Sequence, residues 1–364
     1  MNRSPIIEEV RLLPLDLRMR QTFVTTLGRK DVSHNLLVTV RLSDGSTGYG
    51  EASESLAMPD QTQAAMLGAL RRLTPRFVGQ SAGNLRTLSA IAWQYESNYP
   101  TAIAALECAL LDAVCRSRRV PMWLHFGGRQ RSVSTSLTIS AWPPVQAARA
   151  ARSAARSGIR RLKIKVTGAI DDDLSRVRAV HRAAPRALLV VDANQAFSAS
   201  AAIAFADALI HHRLPVRYLE QPVERHDWEG LAEVRRRSPL PIIVDESADD
   251  VQAVQHMIKH HLTDSINIKL AKSGLLHALE IMRLSQRAGL RLMIGCMAES
   301  RVGLATSVHL ACGSGAFDWV DLDSHWLVEP TPCHGGFTTA DGRLRVHQTA
   351  PGTGITLPTT VVAP

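Results

Sequence analysis

The chain has 364 residues, of which 45% are hydrophobic and 21% charged, a composition that excludes an extensively disordered protein. The opening MNRSPIIEEVRLLPLD carries acidic residues where a signal peptide would need an apolar run, and no window holds roughly eighteen uninterrupted apolar residues. The five cysteines lack CxxC spacing, which argues against a disulfide framework and a zinc ribbon. We therefore expect a cytoplasmic protein in a reducing compartment, without a membrane partner.

The formal net charge of +9 raises nucleic acid as a partner, because clustered Lys and Arg neutralise phosphates. The arginines, however, are spread through Ala-rich helical segments such as VQAARAARSAARSG, with few aromatic residues among them for base stacking. Solvated helix faces account better for this pattern. We expect no nucleic-acid partner, and a nucleic-acid-binding barrel is the alternative from a different class.

The first third of the chain mixes strand and helix signals. NLLVTVRLSDGSTGYGEAS contains two strand-like runs around an SDGSTG turn, which predicts a β-hairpin. Helical patterns follow at 60–78, 84–96 and 100–118. These elements predict an α+β domain over residues 1–128.

From residue 129 to 325, short β-rich runs alternate with Ala-rich helical stretches. There are eight such runs: STSLTIS, RLKIKV, ALLVVDANQ, VRYLEQPV, LPIIVDES, SINIKLAKSG, RLMIGCMAES and FDWVDLD. Eight βα steps of similar length predict an α/β fold of the closed (β/α) TIM-barrel type. Gly158 and Gly289 lie where helix C-caps should precede strands. The tail, 326–364, returns to Gly, Pro and short strand signals, and we expect it to pack back on the N-terminal domain.

Three carboxylates end successive apolar runs: Asp192 in LLVVD, Glu220 in RYLE and Asp245 in PIIVD. The carboxyl ends of barrel strands build active sites, and carboxylates converging there would repel one another unless a cation neutralised them. An all-oxygen set favours Mg²⁺ over Zn²⁺. The alternative is that each carboxylate caps the helix that follows it.

Three lysines interrupt the same pattern. Lys163 and Lys165 are two apart on one strand and therefore project to one face, while Lys269 lies across the predicted barrel. A carboxylate substrate on Mg²⁺ would then have its α-carbon between lysines, and desolvation beside a cation would lower a lysine pKa toward that of a useful base. Such a site suits removal of the α-proton through an enediolate that Mg²⁺ stabilises, and proton return from the other face gives epimerisation.

These residues resemble the enolase superfamily, specifically its muconate-lactonizing subgroup, along essentially the whole chain. The matching motifs are the KxK of Lys163 and Lys165, DANQ, EQP, DES and NIKLAKSG. The resemblance implies a modified barrel with the N-terminal domain as its cap. It also implies roles for six residues: Mg²⁺ ligation by Asp192, Glu220 and Asp245, proton exchange by Lys165 and Lys269, and electrostatic assistance by Lys163.

The motif DWVDLDSHWL places Asp321 and Asp323 two apart at the mouth, where a carboxylate pair could hold an ammonium group. The pair is similar to the DxD of dipeptide epimerases, which receives the free α-amino end of a dipeptide. The resemblance also implies that Thr138 and the Cys296, Met297, Ala298 segment contact the dipeptide. A turn or helix-capping Asp pair is the alternative for DxD.

The chain departs from the L-Ala-D/L-Glu epimerase pattern in a segment expected to form a flexible loop, TFVTTLGRKDVSH. Gly28 stands where the glutamate-binding arginine would fall, and either Arg29 or Lys30 could reach inward instead. The resemblance thus implies a Mg²⁺-dependent isomerase that epimerises the C-terminal residue of a dipeptide of unspecified side chains. The alternatives are an o-succinylbenzoate synthase or a muconate cycloisomerase.

Two other patterns have simpler interpretations. His256 and His260 in HMIKHH are one helical turn apart, but no Glu follows the first His, so a solvated helix face is preferred to a zinc pair. Cys296 has no evident His partner, so we expect it to line the pocket rather than act as a nucleophile. Analogy with other barrels suggests a homo-oligomer.

Overall fold

The computed structural model describes residues 4–358. An antiparallel sheet of β1 (Ile7–Thr25), β2 (Gly28–Leu42) and β3 (Thr47–Ala52) opens the chain. Helices α1 (Gln63–Phe77), α2 (Leu85–Glu96), α3 (Pro100–Ser117) and α4 (Met122–His125) follow. The predicted hairpin and the three predicted helices are confirmed, since each predicted segment coincides with an observed hairpin or helix.

The sheet packs on α3 through alternating side chains of β2. Leu36, Val38 and Val40 are fully buried on the helix side, as the period of two requires. The close approach of α3 to β3 depends on glycine: a Cβ on Gly50 would lie 2.0 Å from the carbonyl oxygen of Ala105. A side chain at this position would therefore push the helix off the sheet.

The segment expected to be a loop instead forms the end of the β1–β2 hairpin. Phe23, Val24 and Thr25 pair with Lys30, Arg29 and Gly28. The hydroxyl of Thr26 ties the tip to the barrel, because its one proton is shared between Val166 O at 3.0 Å and Ala193 O at 3.1 Å. The β-branched and aromatic residues of this segment favour strand pairing, and the hairpin covers the barrel mouth.

Eight parallel strands form the barrel sheet in chain order. They are β5 (Leu137–Ile139), β6 (Arg161–Lys165), β7 (Leu188–Asp192), β8 (Val216–Glu220), β9 (Ile242–Val244), β10 (Ser265–Ile268), β11 (Arg291–Gly295) and β12 (Trp319–Asp321). A backbone hydrogen bond from Ser136 N to Val320 O, at 2.9 Å, links the first and last strands. The predicted α/β barrel with an N-terminal cap is confirmed.

Helices surround the sheet. They are α5 (Pro144–Arg156), α6 (Ile170–Ala183), α7 (Ala199–His211), α8 (Trp228–Arg237), α9 (Val251–Lys259), α10 (Leu270–Arg287), α11 (Arg301–Ser314) and α12 (Ser324–Leu327). Gly158 and Gly289 follow α5 and α10 with φ of 78° and 72°, the left-handed conformation that the C-cap prediction requires. Inside the barrel, a cluster of apolar residues fills the end away from the carboxyl ends of the strands: Val190, Tyr218, Ile243, Met293 and Trp319.

The tail forms β13 (Phe337–Ala340) and β14 (Arg343–Val346), which extend a small sheet with β4 (Ser132–Ser134). Farther on, Arg116 Nη2 on α3 donates to Ile355 O at 2.7 Å, and Met122 N donates to Gly352 O at 2.8 Å. The domain boundaries at residues 128 and 325 stay predictions. Over residues 4–358, the helices are too short or too polar to cross a membrane.

Candidate active site

The three predicted carboxylates meet at the carboxyl ends of β7, β8 and β9. Asp192, Glu220 and Asp245 are almost completely buried, and one oxygen of each lies within 4.8 Å of the others. They are not helix caps, because Ser198, Asp227 and Asp250 cap the helices that follow. Within the described residues, this is the one His, Cys, Asp or Glu cluster with metal-binding spacing.

Lys163 and Lys165 project from β6 into the barrel. Lys163 Nζ lies 2.9 Å from Asp192 Oδ2, 2.8 Å from Glu220 Oε1 and 3.0 Å from Asp321 Oδ2. Lys165 Nζ lies 2.6 Å from Asp192 Oδ2. The two ammonium groups that interrupt the apolar strand are therefore neutralised by carboxylates at the barrel mouth.

Lys269 approaches from the opposite side. It follows β10, four strands from β6 in an eight-stranded sheet, and its Nζ lies 2.7 Å from Asp245 Oδ2. The other oxygen of Asp245 accepts a hydrogen bond from Lys272 Nζ at 2.6 Å. The sequence placed Lys269 correctly, whereas Lys272 was not predicted although it lies in the quoted motif NIKLAKSG.

Burial and ion pairing set the charges of the site. Burial raises the pKa of Asp192, but Lys163 and Lys165 outweigh burial and lower this pKa to about 2. Burial, together with the Asp192 carboxylate, raises the pKa of Glu220 to about 7. Burial lowers the pKa of Lys269, but Asp245 outweighs it and the net shift is upward, opposite to the expectation for a base. A divalent cation bound to the carboxylates would oppose the effect of the Asp245 charge on the pKa of Lys269.

The Asp321 and Asp323 pair lies at the end of the last strand, β12, and faces the barrel mouth. Asp321 accepts a short hydrogen bond from Ser136 Oγ, and Asp323 Oδ2 accepts one from Thr138 N at 2.5 Å. Burial, helped by the neighbouring Asp321, raises the pKa of Asp323 to about 7. Although Asp323 precedes α12, its side chain makes no capping hydrogen bond there, so the capping alternative is wrong for this residue.

One cavity is lined by all nine predicted catalytic and substrate-binding residues and by Asp245 of the predicted metal ligands: Thr138, Lys163, Lys165, Asp245, Lys269, Cys296, Met297, Ala298, Asp321 and Asp323. Cys296 Sγ lies 3.3 Å from Asp321 O, and burial raises its thiol pKa well above the usual value. This favours a lining role over a nucleophilic one. His256 on α9 and His260, the C-cap residue of that helix, are exposed, as expected for a solvated helix face.

The two cations expected to reach inward behave differently. The Arg29 side chain is 73% exposed and lies 3.7 Å from Asp31. Lys30 does line the cavity, but its Nζ lies 3.3 Å from Glu54 Oε2. Neither Glu54 nor the apolar hairpin side chains were predicted, because nothing local in the sequence shows that the hairpin covers the barrel.

The fold and the site together define an enolase-type enzyme, in which a capped (β/α) barrel presents buried carboxylates between opposed lysines. Residues 146–361 match the family described as enolase C-terminal domain-like. Residues 9–127 match the N-terminal domain of the mandelate racemase and muconate lactonizing enzymes. The chain belongs to the mandelate racemase/muconate lactonizing enzyme family of the enolase superfamily, which confirms the resemblance found in the sequence.

Relatives match the chain over most of its length. An aromatic dipeptide epimerase of Herpetosiphon aurantiacus is 36% identical over 352 residues, covering 96% of this chain and 99% of the relative. An L-Ala-D/L-Glu epimerase of Thermotoga maritima is 34% identical and covers 86% and 91%. The crystal structure of an Enterococcus faecalis dipeptide epimerase, complexed with Mg and L-Leu-L-Tyr, has a TM-score of 0.92 at 30% identity and covers 96% and 99%.

Proposed function

We propose that the protein is a Mg²⁺-dependent dipeptide epimerase that inverts the α-carbon of the C-terminal residue. The observation that carries the proposal is the layout of the barrel mouth. Lys163 and Lys165 enter from β6 and Lys269 from the end of β10, on opposite sides of the barrel. The acid trio of Asp192, Glu220 and Asp245 lies between them, and the acidic pair of Asp321 and Asp323, at the end of β12, lies across from the trio. A dipeptide has a carboxylate at one end and an ammonium group at the other, and both ends find a matching group.

The acid trio fits a hard divalent cation. All three ligands offer carboxylate oxygens, the donor type that Mg²⁺ prefers. Glu220 Oε2 is buried without a hydrogen-bond partner, which is costly unless another group satisfies it. Mg²⁺ bound by Asp192, Glu220 and Asp245 would act as a Lewis acid, stabilising negative charge on the substrate carboxylate.

Lys165 and Lys269 are placed to move the α-proton. Their strands face each other across the barrel, and both side chains line the cavity. A substrate α-carbon between them would lose its proton to one lysine and regain a proton from the other, which inverts its configuration. Lys163, held between Glu220 and Asp321, supplies fixed positive charge beside the substrate carboxylate.

The acidic pair favours a dipeptide over the substrates of the alternative enzymes. Asp323 is buried, and its raised pKa has the Asp321 carboxylate as a cause after burial. An ammonium group between the two would relieve that repulsion. The substrates of o-succinylbenzoate synthase and muconate cycloisomerase carry no ammonium group. All five cysteines are free thiols, which supports a cytoplasmic location.

Incubation with Mg²⁺ and pooled L,L-dipeptides in D₂O tests the proposal. Mass spectrometry should show a one-unit gain in a subset of dipeptides, and chiral chromatography should show the L,D product. Asp323→Asn tests the ammonium site. It should strongly slow exchange on free dipeptides and change the melting temperature little. Absence of exchange from every dipeptide, in protein that binds Mg²⁺, would overturn the proposal.

A further inference from the structure

The cavity has a polar floor and an apolar roof. Lysines and carboxylates at the strand ends form the floor. Six half-buried or exposed side chains form the roof: Met19, Phe23, Leu27, Leu56, Met297 and Leu327. Phe23 lies close to the floor, with its ring centroid 6.0 Å from Lys165 Nζ. The β1–β2 hairpin therefore presents apolar surface directly above one of the two proposed bases.

Among the described residues that line the cavity, Lys30 is the one cation outside the floor. Its Nζ donates to Glu54 Oε2 at 3.3 Å, to Glu54 O at 3.1 Å and to Ser33 Oγ at 3.3 Å. Three acceptors match the three protons of an ammonium group. Lys30 thus has no donor left for a substrate unless one of these bonds breaks.

Glu54 is itself held in place. Its backbone N–H donates to Asn35 Oδ1 at 3.1 Å, and its Oε2 accepts from His34 N at 3.2 Å. The side chains of Lys30 and Glu54 are only 9% and 23% exposed. A pair that is largely shielded from water and fixed by further hydrogen bonds resists being opened by a competing charge.

The geometry of the proposed reaction directs one substituent toward the roof. An α-carbon that has lost its proton is planar, with the lysines above and below that plane. Its carboxylate points to the acid trio, and its nitrogen points to the Asp321 side. The side chain of the epimerised residue must take the third in-plane direction, which the floor leaves free and the apolar roof covers.

We propose that the Lys30–Glu54 ion pair determines substrate specificity. Because Glu54 neutralises Lys30, the site selects dipeptides whose epimerised residue carries an uncharged, apolar side chain. This inference rests on the proposed epimerase function. A glutamate or lysine side chain placed there would be buried without a partner or would have to break the pair, and both are unfavourable. An apolar side chain displaces water and leaves the pair intact.

Initial rates of deuterium incorporation from D₂O test the inference with three dipeptides of similar side-chain length: L-Ala-L-Met, L-Ala-L-Gln and L-Ala-L-Glu. L-Ala-L-Lys supplies the opposite charge. We expect kcat/KM for L-Ala-L-Met to exceed that for either charged dipeptide by on the order of 100-fold or more, with L-Ala-L-Gln between them. Faster exchange of L-Ala-L-Glu or L-Ala-L-Lys than of L-Ala-L-Met would overturn the inference and leave the epimerase function standing. No exchange from any dipeptide would overturn both.

Matched variants assign the preference to the pair. Glu54→Gln keeps the size of the side chain and removes the charge that neutralises Lys30, so the ratio of L-Ala-L-Glu to L-Ala-L-Met exchange should rise at least 10-fold. Lys30→Met in the same background should cancel that rise. Arg29→Met, at an exposed neighbouring position, should leave the ratio unchanged. An unchanged ratio in Glu54→Gln, with wild-type circular dichroism and melting temperature, would overturn the role of the pair.

Discussion

Lys165 Nζ donates a hydrogen bond to Asn194 Oδ1 at 2.8 Å, and the amide group of Asn194 donates in turn to Glu246 Oε1 at 3.0 Å. The backbone N–H of Asn194 also donates to Asp192 Oδ1 at 2.9 Å. With φ of 41°, Asn194 adopts a left-handed conformation that is uncommon for residues other than glycine. Asn194 is thus a positioning residue that holds the ammonium group of Lys165 beside the acid trio.

Asn194→Gly should slow proton removal by Lys165 without unfolding the site, because glycine accepts the left-handed backbone while the side-chain bond is lost. We expect kcat to fall on the order of 10-fold to 100-fold, with KM changed much less. The loss should fall mainly on the dipeptide epimer whose α-proton faces Lys165. Separate α-deuterium wash-out rates from the L,L and L,D epimers measure this, and an equal loss for both would contradict it.

Lys165→Ala and Lys269→Ala should each abolish net epimerisation, lowering it by roughly 100-fold or more, because inversion needs a base on both faces. Each variant retains one lysine, which can still remove and return the proton on its own face. We therefore expect each to keep solvent exchange with one epimer, and the two variants to keep opposite epimers. Exchange of the same epimer by both variants would show that the lysines do not oppose each other.

Mg²⁺ should stabilise the fold as well as support exchange. Binding to the native state adds about 2.7 kcal/mol when the free ion is at 100 times its Kd, so the melting temperature should rise on Mg²⁺ addition and fall with EDTA. Glu220→Gln keeps the volume of the ligand but removes its charge, and it should lose most of this rise. A Mg²⁺-dependent shift of undiminished size in Glu220→Gln would argue against the acid trio as the site.

His309 on α11 should make the folded protein less stable in acid, independently of the active site. Burial lowers its pKa from 6.5 to about 4, while its Nε2 contacts Gly336 O at 3.0 Å. As pH falls below 6.5 the unfolded chain binds this proton before the native state does, so stability is lost between pH 6.5 and 4. The loss should approach about 3 kcal/mol.

Urea unfolding at several pH values tests this expectation. Burial also lowers the pKa of His325, to about 3, so His325 also contributes to the slope of the unfolding free energy against pH. His309→Gln should remove the His309 part of the slope, and His325→Gln is the matched comparison. A slope between pH 6.5 and 4 that is identical in wild type and His309→Gln would contradict the assignment.

The parts of the site that the sequence predicted are those with a local signal. Asp192 and Lys163 each interrupt an apolar strand, and strand order then fixes where such residues meet. The roof has no such signal. Thr26 contacts the barrel across 140 positions of sequence, and Glu54 meets Lys30 only because β3, which Glu54 follows, pairs with β2. The segment therefore resembled a loop, although its β-branched residues suited a strand.

The direction of the Lys269 pKa shift also depends on contacts that the sequence does not specify. The sequence showed buried lysines beside a presumed cation, whereas the structure shows that Asp245 lies close enough to Lys269 to outweigh burial. Burial alone would have shifted the pKa downward. The sign of such a shift depends on distances of a few ångströms between residues on different strands, which spacing along the chain does not specify.

Lys163 contacts both the acid trio, through Glu220, and the acidic pair, through Asp321, with distances of 2.8 and 3.0 Å. One ammonium group therefore links the two acidic groups of the mouth before a ligand arrives. A dipeptide zwitterion then adds one charge of each sign. Uptake of a dipeptide leaves the total charge of the mouth unchanged. Its affinity should depend only weakly on ionic strength, in contrast to an N-acetylated peptide, which brings a net negative charge.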